Sequence, residues 1–169
     1  MDRGRTRRAH LKSVAMLMCG WLWVSDGSAQ APPAAVSSQP DYHPSMGDLM
    51  TMAIQPRHTK LGQAGRIGNW VYAEYELSEL RNAFSRLART IPTYRNADMT
   101  VLIGAMTTQP LQSVEDSIRG KDAARFKAAY AQLTAACNAC HVSQDHAMVV
   151  ISVPNGDAYP DQDFSSPRH

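Results

Sequence analysis

Two cysteines and a histidine near the C-terminal end of the chain have the spacing needed to hold a porphyrin covalently. The sequence reads Cys137-Asn138-Ala139-Cys140-His141, which is the C-x-x-C-H pattern of c-type haem attachment. Residues three and four apart share one face of a helix. Two thiols placed in this way can each add to a vinyl group, and the adjacent imidazole can bind the iron. We therefore predict one haem c bound to Cys137 and Cys140, with His141 as an axial ligand.

The same residues allow two other interpretations. Cys137 and Cys140 could form a simple disulfide, or they could act as a thiol redox pair. A redox pair of this spacing usually follows a strand in a βαβ unit, whereas here the motif ends a long helical pattern. Neither alternative gives His141 a role, so haem attachment is the favoured interpretation.

The N-terminus has the features of an export signal. Four arginines and Lys12 precede a short apolar run over residues 13–24, and small residues follow it. This pattern predicts a signal peptide over residues 1–29, cleaved after Ala29, and a periplasmic protein. The pair Arg7-Arg8 also resembles a twin-arginine signal. The general secretory route is favoured, because haem is attached to an unfolded chain after export.

Charge and composition narrow the function further. The 169 residues carry a formal charge of +2, and removing residues 1–29 takes away five of the 17 Lys and Arg and two of the 15 Asp and Glu. The remaining chain is therefore slightly acidic, and no basic patch indicates nucleic-acid binding. No second apolar stretch predicts a membrane span. No nucleophile–base pair or carboxylate pair indicates an enzyme.

Hydrophobic spacing predicts an all-α fold, an antiparallel four-helix bundle over residues 45–146. We expect a disordered leader over residues 30–44 and helices over about 46–62, 70–89, 96–119 and 123–144. Ser45, Asn69 and Asp122 are the expected N-caps. Pro56 should kink the first helix, and Pro110 should open a second part of the third. Gly62 and Gly65 should loosen the turn that follows the first helix.

The apolar residues of two helices recur at alternating steps of three and four, as in a packed bundle. The second helix has this spacing at Trp70, Ala73, Leu77, Leu80, Phe84 and Leu87, and the fourth at Phe126, Tyr130, Leu133, Cys137 and Cys140. The stripe of the fourth helix runs into both haem cysteines. The haem should therefore face the interior of the bundle.

The tail over residues 147–169 is expected to be extended. Residues 148–153 are apolar and mostly β-branched, and Pro154 ends them, which favours an extended segment lying on the bundle. The polar residues from Asp157 onward should be loose.

A second axial ligand should come from upstream of the motif, because the nearby Met148 is too close to His141 to reach the opposite side of a porphyrin. The candidates are Met46, Met50, Met52 and His58. Met50, Ile54 and His58 are four residues apart and share a helical face. A thioether sulfur suits haem iron, although methionines more commonly fill a hydrophobic core.

With four predicted helices and the haem motif on the last, the chain resembles the class II c-type cytochromes, that is, cytochrome c-prime and its low-spin relatives. The resemblance covers residues 46–144. It implies thioether bonds at Cys137 and Cys140, His141 as the proximal ligand, and a distal side facing the start of the first helix. Met50 lies near that start, so the resemblance makes it the preferred sixth ligand. Family members commonly have Arg or Lys where this chain has Asp145, and the kink and tail are also atypical.

These observations predict a periplasmic monohaem cytochrome that exchanges electrons with a redox partner protein and that can form a homodimer. One alternative is a haem protein with an open distal site that binds NO or CO. The other is a haem-free structural or thiol-redox module.

Overall fold

The computed structural model describes residues 41–156 and 158–165, which are mostly helical. A compact unit begins at Asp41. The predicted signal peptide, residues 30–40 of the predicted leader and residues 166–169 lie outside the described residues. The hydroxyl of Tyr42 donates a hydrogen bond to Asp48 at 3.0 Å. Residues 41–44, the end of the predicted leader, form no helix or strand.

Four long helical regions make up the described chain. The first consists of α1 (Met46–Leu49), a π-helical turn (Met50–Ile54) and α2 (Gln55–Arg66); the others are α3 (Trp70–Thr90), α4 (Met99–Arg119) and α5 (Ala123–Ser143). A small antiparallel hairpin joins α3 to α4 through β1 (Thr93–Tyr94) and β2 (Ala97–Asp98).

Where a kink was predicted at Pro56, the structure has a π-helical turn at Met50–Ile54, just before the proline. The N–H of Gln55 donates to the carbonyl of Met50, five residues back. In a regular α-helix, the Pro56 ring would crowd the carbonyl of Met52. The wider π turn moves this carbonyl away and places Pro56 in the first turn of α2, where proline is tolerated. The helix then continues to Arg66, four residues past its predicted end.

The predicted N-caps are confirmed, because Ser45, Asn69 and Asp122 each accept a backbone N–H at the start of a helix. Asp98 caps α4 in the same way, so that this helix begins at Met99 and not near residue 96. The hairpin occupies the intervening residues.

The predicted division of the third helix at Pro110 is wrong, because α4 is continuous through it. Buried apolar side chains on both sides of Pro110 explain why the helix continues. Met99 precedes Pro110, Leu111 and Val114 follow it, and all three are in the core. Tertiary packing of such a face stabilises a helix more than a single hydrogen bond does.

The apolar stripes of α3 and α5 form the core, as predicted. The buried members are Ala73, Leu77, Leu80, Phe84 and Leu87 of α3 and Phe126, Tyr130 and Leu133 of α5. Helix α3 contacts α2 and α4, and α5 contacts α4 and α2. Each of the four long helices thus packs against two of the others.

The predicted looseness after Asp157 is wrong for the described residues 158–165, which pack on α2 and α3. The side-chain amide of Asn69 donates to the carbonyl of Phe164 at 2.8 Å, and that of Gln162 donates to the hydroxyl of Tyr72 at 2.7 Å. The ammonium of Lys60 lies 4.7 Å from the ring centre of Tyr159. Residues 158–165 are therefore held against the helices by hydrogen bonds and a cation–π contact.

Gly62 and Gly65 lie inside α2, and not in a loosened turn as predicted, because aromatic rings of α5 pack directly on them. A Cβ at Gly62 would be 2.6 Å from the ring of Tyr130, and one at Gly65 would overlap the ring of Phe126. Glycine is therefore needed at both positions for the close approach of α2 and α5.

Gly65→Ala should lower the free energy of unfolding by about 1–3 kcal/mol, the usual cost of overpacking a core. The matched control is Gly104→Ala in α4, where an added Cβ meets no atom within 4 Å. That control should be stabilised by about 0.5–1 kcal/mol, since alanine is the better helix former. Urea unfolding followed by circular dichroism measures both. Equal effects at the two glycines would contradict the packing of α2 on α5.

Candidate haem site

A single cavity of about 290 Å³ brings the motif together with the start of the first helical region. Its volume is at the lower end of the roughly 300–1,000 Å³ typical of small-molecule sites. Most of its lining is apolar. The predicted site residues that line it are Met46, Met50, His58, Cys137, Cys140 and His141.

The cysteines reach the cavity because they continue the buried face of α5. Leu133 is fully buried, and Cys137 and Cys140 follow it at steps of four and three. Both cysteines are half-buried and line the cavity. The helix thus presents two thiols on one wall, as the stripe in the sequence predicts.

The state of the thiols bears on the redox alternative. Cys137 and Cys140 are not joined to each other. Burial raises the pKa of Cys137 to about 11 and also raises the pKa of Cys140. Reactive redox thiols have the opposite shift, because a positive environment stabilises their thiolates. Burial in the cavity therefore disfavours the thiolate form of these cysteines.

His141 has one nitrogen engaged by the protein. Its Nδ1 lies 2.7 Å from the carbonyl oxygen of Val149. A carbonyl only accepts hydrogen bonds, so in the neutral imidazole Nδ1 carries the proton and Nε2 has the lone pair. Histidines that bind metals commonly have this second hydrogen bond, which fixes the tautomer and orients the ring. His141 is thus in the form that can bind iron through Nε2.

The acceptor for His141 comes from a non-helical segment after α5, residues 146–151, which we name the strap. The strap makes a turn at residues 147–148, so the extended segment predicted over residues 148–153 does not begin before Val149. Asn138 fixes the far end of the strap to α5. Its side-chain oxygen accepts from the N–H of Ile151 at 2.7 Å, and its amide nitrogen donates to the carbonyl of the same residue at 2.9 Å. Sequence reasoning gave neither Asn138 nor Val149 a role. The available signal was an amide side chain between the cysteines, which offers a donor and an acceptor together.

The hairpin meets the other end of the strap. The hydroxyl of Tyr94 lies 3.3 Å from Nε2 of His146, and the guanidinium of Arg95 lies 2.9 Å from the carboxylate of Asp145. The resemblance leads one to expect a cation at position 145. The structure instead has an acid there, with the cation supplied by the hairpin. This ion pair is exposed and adds little stability.

The methionine candidates separate into two groups. Met46 and Met50 line the cavity, whereas the side chain of Met52 is 63% exposed and is not part of the lining. Met50 is the first residue of the π-helical turn, and such turns are frequent at functional sites. Helix α4 contributes Met99 and Met106 to the cavity. Neither methionine was among the ligands predicted from the sequence.

His58 lines the cavity but is buried and hydrogen-bonded through both ring nitrogens. Its Nε2 lies 3.0 Å from the hydroxyl of Thr134, and its Nδ1 lies 3.0 Å from the hydroxyl of Tyr130. Thr134 in turn donates to the carbonyl of Tyr130, and the hydroxyl of Tyr130 donates to the backbone carbonyl of His58 at 2.6 Å. To bind iron, His58 would have to break one of these contacts. Its position supports a structural role between α2 and α5.

This burial predicts a pH-dependent stability. Burial lowers the pKa of His58 from 6.5 to about 4, so the unfolded state binds more protons below pH 6.5 and stability falls as the pH drops toward 4. Between pH 7.5 and 5 the wild type should lose about 2 kcal/mol more than His58→Gln, which does not titrate there. Urea unfolding at both pH values measures this difference. Equal losses in the two proteins would show that His58 titrates normally in the fold.

Comparisons with known proteins give no relative. No protein-family model matches the sequence, and searches of curated proteins and of solved structures find no match. In the part of the chain that the structure describes, no helix is both long and apolar enough to cross a membrane. Within those residues, no three His, Cys, Asp or Glu side chains are grouped in a way that could hold a metal ion.

Proposed function

We propose that the chain is an exported monohaem c-type cytochrome that transfers electrons. The observation that carries this proposal is the cavity wall formed by α5. Cys137 and Cys140 line it on one helical face, and the hydrogen bond from His141 to Val149 leaves the Nε2 lone pair free. Thiols and imidazole are thus brought together in the tautomer and on the surface that haem attachment needs.

The residues of the cavity fit such a group. Cys137 and Cys140 would hold the porphyrin, His141 would bind the iron, and the apolar lining would exclude water. Haem supplies reversible one-electron chemistry when bound. The protein sets the potential through the axial ligands, their hydrogen bonds and the burial of the site.

The proposed architecture is an antiparallel four-helix bundle with the haem on its last helix, as in the class II c-type cytochromes. Two observations support it. Each long helix packs against two of the others, and the connections between α2 and α3 and between α4 and α5 are only a few residues long. Short connections are typical of antiparallel neighbours.

On the distal side, Met50 is the proposed sixth ligand and Met46 is the alternative that shares its wall. Both line the cavity. A thioether ligand raises the potential of a haem, whereas a second imidazole lowers it. We further propose that the protein is periplasmic after cleavage near Ala29, that it acts with a redox partner protein, and that it can form a homodimer.

Expression of the full chain with a haem-maturation system tests this function. The purified protein should contain one haem per chain and show reversible one-electron oxidation in a potentiometric titration. His141→Ala is the matched variant, because it keeps both thiols and removes the iron ligand. It should keep covalent haem but change the visible spectrum. An unchanged spectrum would refute the proximal role of His141, and a wild type without haem would refute the proposed function.

A further inference from the structure

We propose that Asn138 is a positioning residue that sets the reduction potential of the haem by holding the strap against His141. This inference rests on the proposed function and adds to it a determinant that lies outside the three residues of the motif. Asn138 itself does not contact the iron ligand. It acts through the carbonyl of Val149.

The strap is held at two points, with the acceptor of His141 between them. At one end, the N–H of His146 donates to the carbonyl of His141 at 2.7 Å, and the N–H of Val149 donates to the carbonyl of His146 at 2.9 Å. At the other end, Asn138 makes its two hydrogen bonds to Ile151. The carbonyl of Val149 therefore has a fixed position relative to the imidazole.

The two-residue spacing of Val149 and Ile151 explains why the side chain of Asn138 is enough to orient the carbonyl that accepts from His141. In extended backbone, residues two apart direct their N–H and C=O groups to the same side. Val149 and Ile151 are two apart, and both bond to side chains of α5. When Asn138 aligns the peptide groups of Ile151, it aligns the carbonyl of Val149 as well.

The hydrogen bond has a defined electronic effect. A carbonyl that accepts from Nδ1–H increases the basicity of Nε2 as a ligand. A more basic ligand stabilises ferric iron more than ferrous iron, so the bond lowers the reduction potential. Loss of Asn138 should loosen the strap, weaken the bond and raise the potential. Changes to such outer partners commonly alter metal affinity by about 10–100-fold.

The test compares Asn138→Ala with Asn69→Ala in the full-length holoprotein. Both asparagines hold the C-terminal part of the chain, since the side chain of Asn69 donates to the carbonyl of Phe164. Asn69 does not hydrogen-bond to the strap, however. Asn138→Ala should favour ferrous over ferric iron about tenfold, which is about 59 mV for one electron. Asn69→Ala should lower the melting temperature and leave the potential unchanged.

Two further measurements separate positioning from a loss of stability. Proton NMR should show faster solvent exchange of the His141 Nδ1–H in Asn138→Ala than in the wild type. Asn138→Asp keeps the acceptor for the N–H of Ile151 and loses the donor. Its reduction potential should therefore lie between those of the wild type and Asn138→Ala. If Asn138→Ala does not accumulate as holoprotein, Asn138→Asp decides the question.

If the Asn138 variants change the equilibrium between ferrous and ferric iron less than twofold, the inference is overturned and the proposed function stays intact. Equal shifts in Asn138→Ala and Asn69→Ala would also overturn it, because they would indicate a general loosening of the chain. A wild type without covalent haem would overturn the function and the inference together.

Discussion

The variant with Cys137→Ser and Cys140→Ser should contain no covalently bound haem. Serine hydroxyls do not add to vinyl groups under maturation conditions, and the cavity offers no other described cysteine. The expected effect is a complete loss of haem stain from the chain on a denaturing gel. In the wild type the stain should persist, since thioether bonds survive denaturation.

The single variants Cys137→Ser and Cys140→Ser are the controls for this result. Each keeps one thiol on the cavity wall and should retain a single thioether bond, with reduced haem content. Acid–acetone extraction provides a second measurement. Pigment that leaves the wild-type chain in acid–acetone would contradict covalent attachment and favour the haem-free interpretations.

The second large effect is expected at Met50. If its sulfur is the sixth ligand, the wild-type ferric protein is low-spin and has a weak charge-transfer band in the far red. Met50→Ala should convert most of the ferric protein to the high-spin form. CO affinity should rise about tenfold or more, because a site that is open in only about a tenth of the molecules weakens apparent affinity by that factor. Absorption spectra and CO titration measure both changes.

Two methionine variants serve as controls for Met50→Ala. Met52→Ala should have no effect, because the side chain of Met52 is 63% exposed. Met46→Ala tests the other methionine of the same wall, and the high-spin conversion would appear there if Met46 were the ligand. His58→Ala should lower stability without opening the iron. A wild-type protein that is already high-spin and binds CO or NO readily would show an open sixth position and favour the gas-binding alternative.

The helices could be predicted from the sequence because their signals are local. The spacing of Leu77, Leu80 and Phe84 defines a buried face within a single helix. An N-cap such as Asn69 is recognised by the backbone next to it. Both kinds of signal are complete within a few residues, and the structure has the predicted faces and caps.

Other features depended on contacts between distant parts of the chain. The burial of Glu76 is one example, since its carboxylate is compensated by Arg57 of α2, at 3.2 Å. Helical spacing alone does not show which partner will be available. The continuity of α4 through Pro110 likewise depends on the core on both sides of it. The local preference of proline was therefore a poor guide at this position.

The candidate site shows the same division between local signals, which could be predicted, and long-range contacts, which could not. The spacing of Cys137, Cys140 and His141 predicted which residues share a wall. It did not predict that the carbonyl of Val149 would fix the tautomer of His141, because the path of the chain after α5 depends on Asn138. Met46, Met50 and Met52 were all candidate ligands in the sequence. Only the fold distinguishes Met50 on the cavity from Met52 on the surface.

The π-helical turn sets the rotation of α1 about the helix axis relative to α2. A π turn adds one residue without ending the helix, and each residue of an α-helix corresponds to a rotation of about 100°. Deleting one residue between Met50 and Ile54 would therefore rotate α1 by about this angle relative to α2 and carry Met46 off the cavity wall. It would also return the Pro56 ring to a crowded carbonyl. Single-residue deletions should be poorly tolerated here, although the same change in the exposed residues 41–43, ahead of the cap, alters no helical phase.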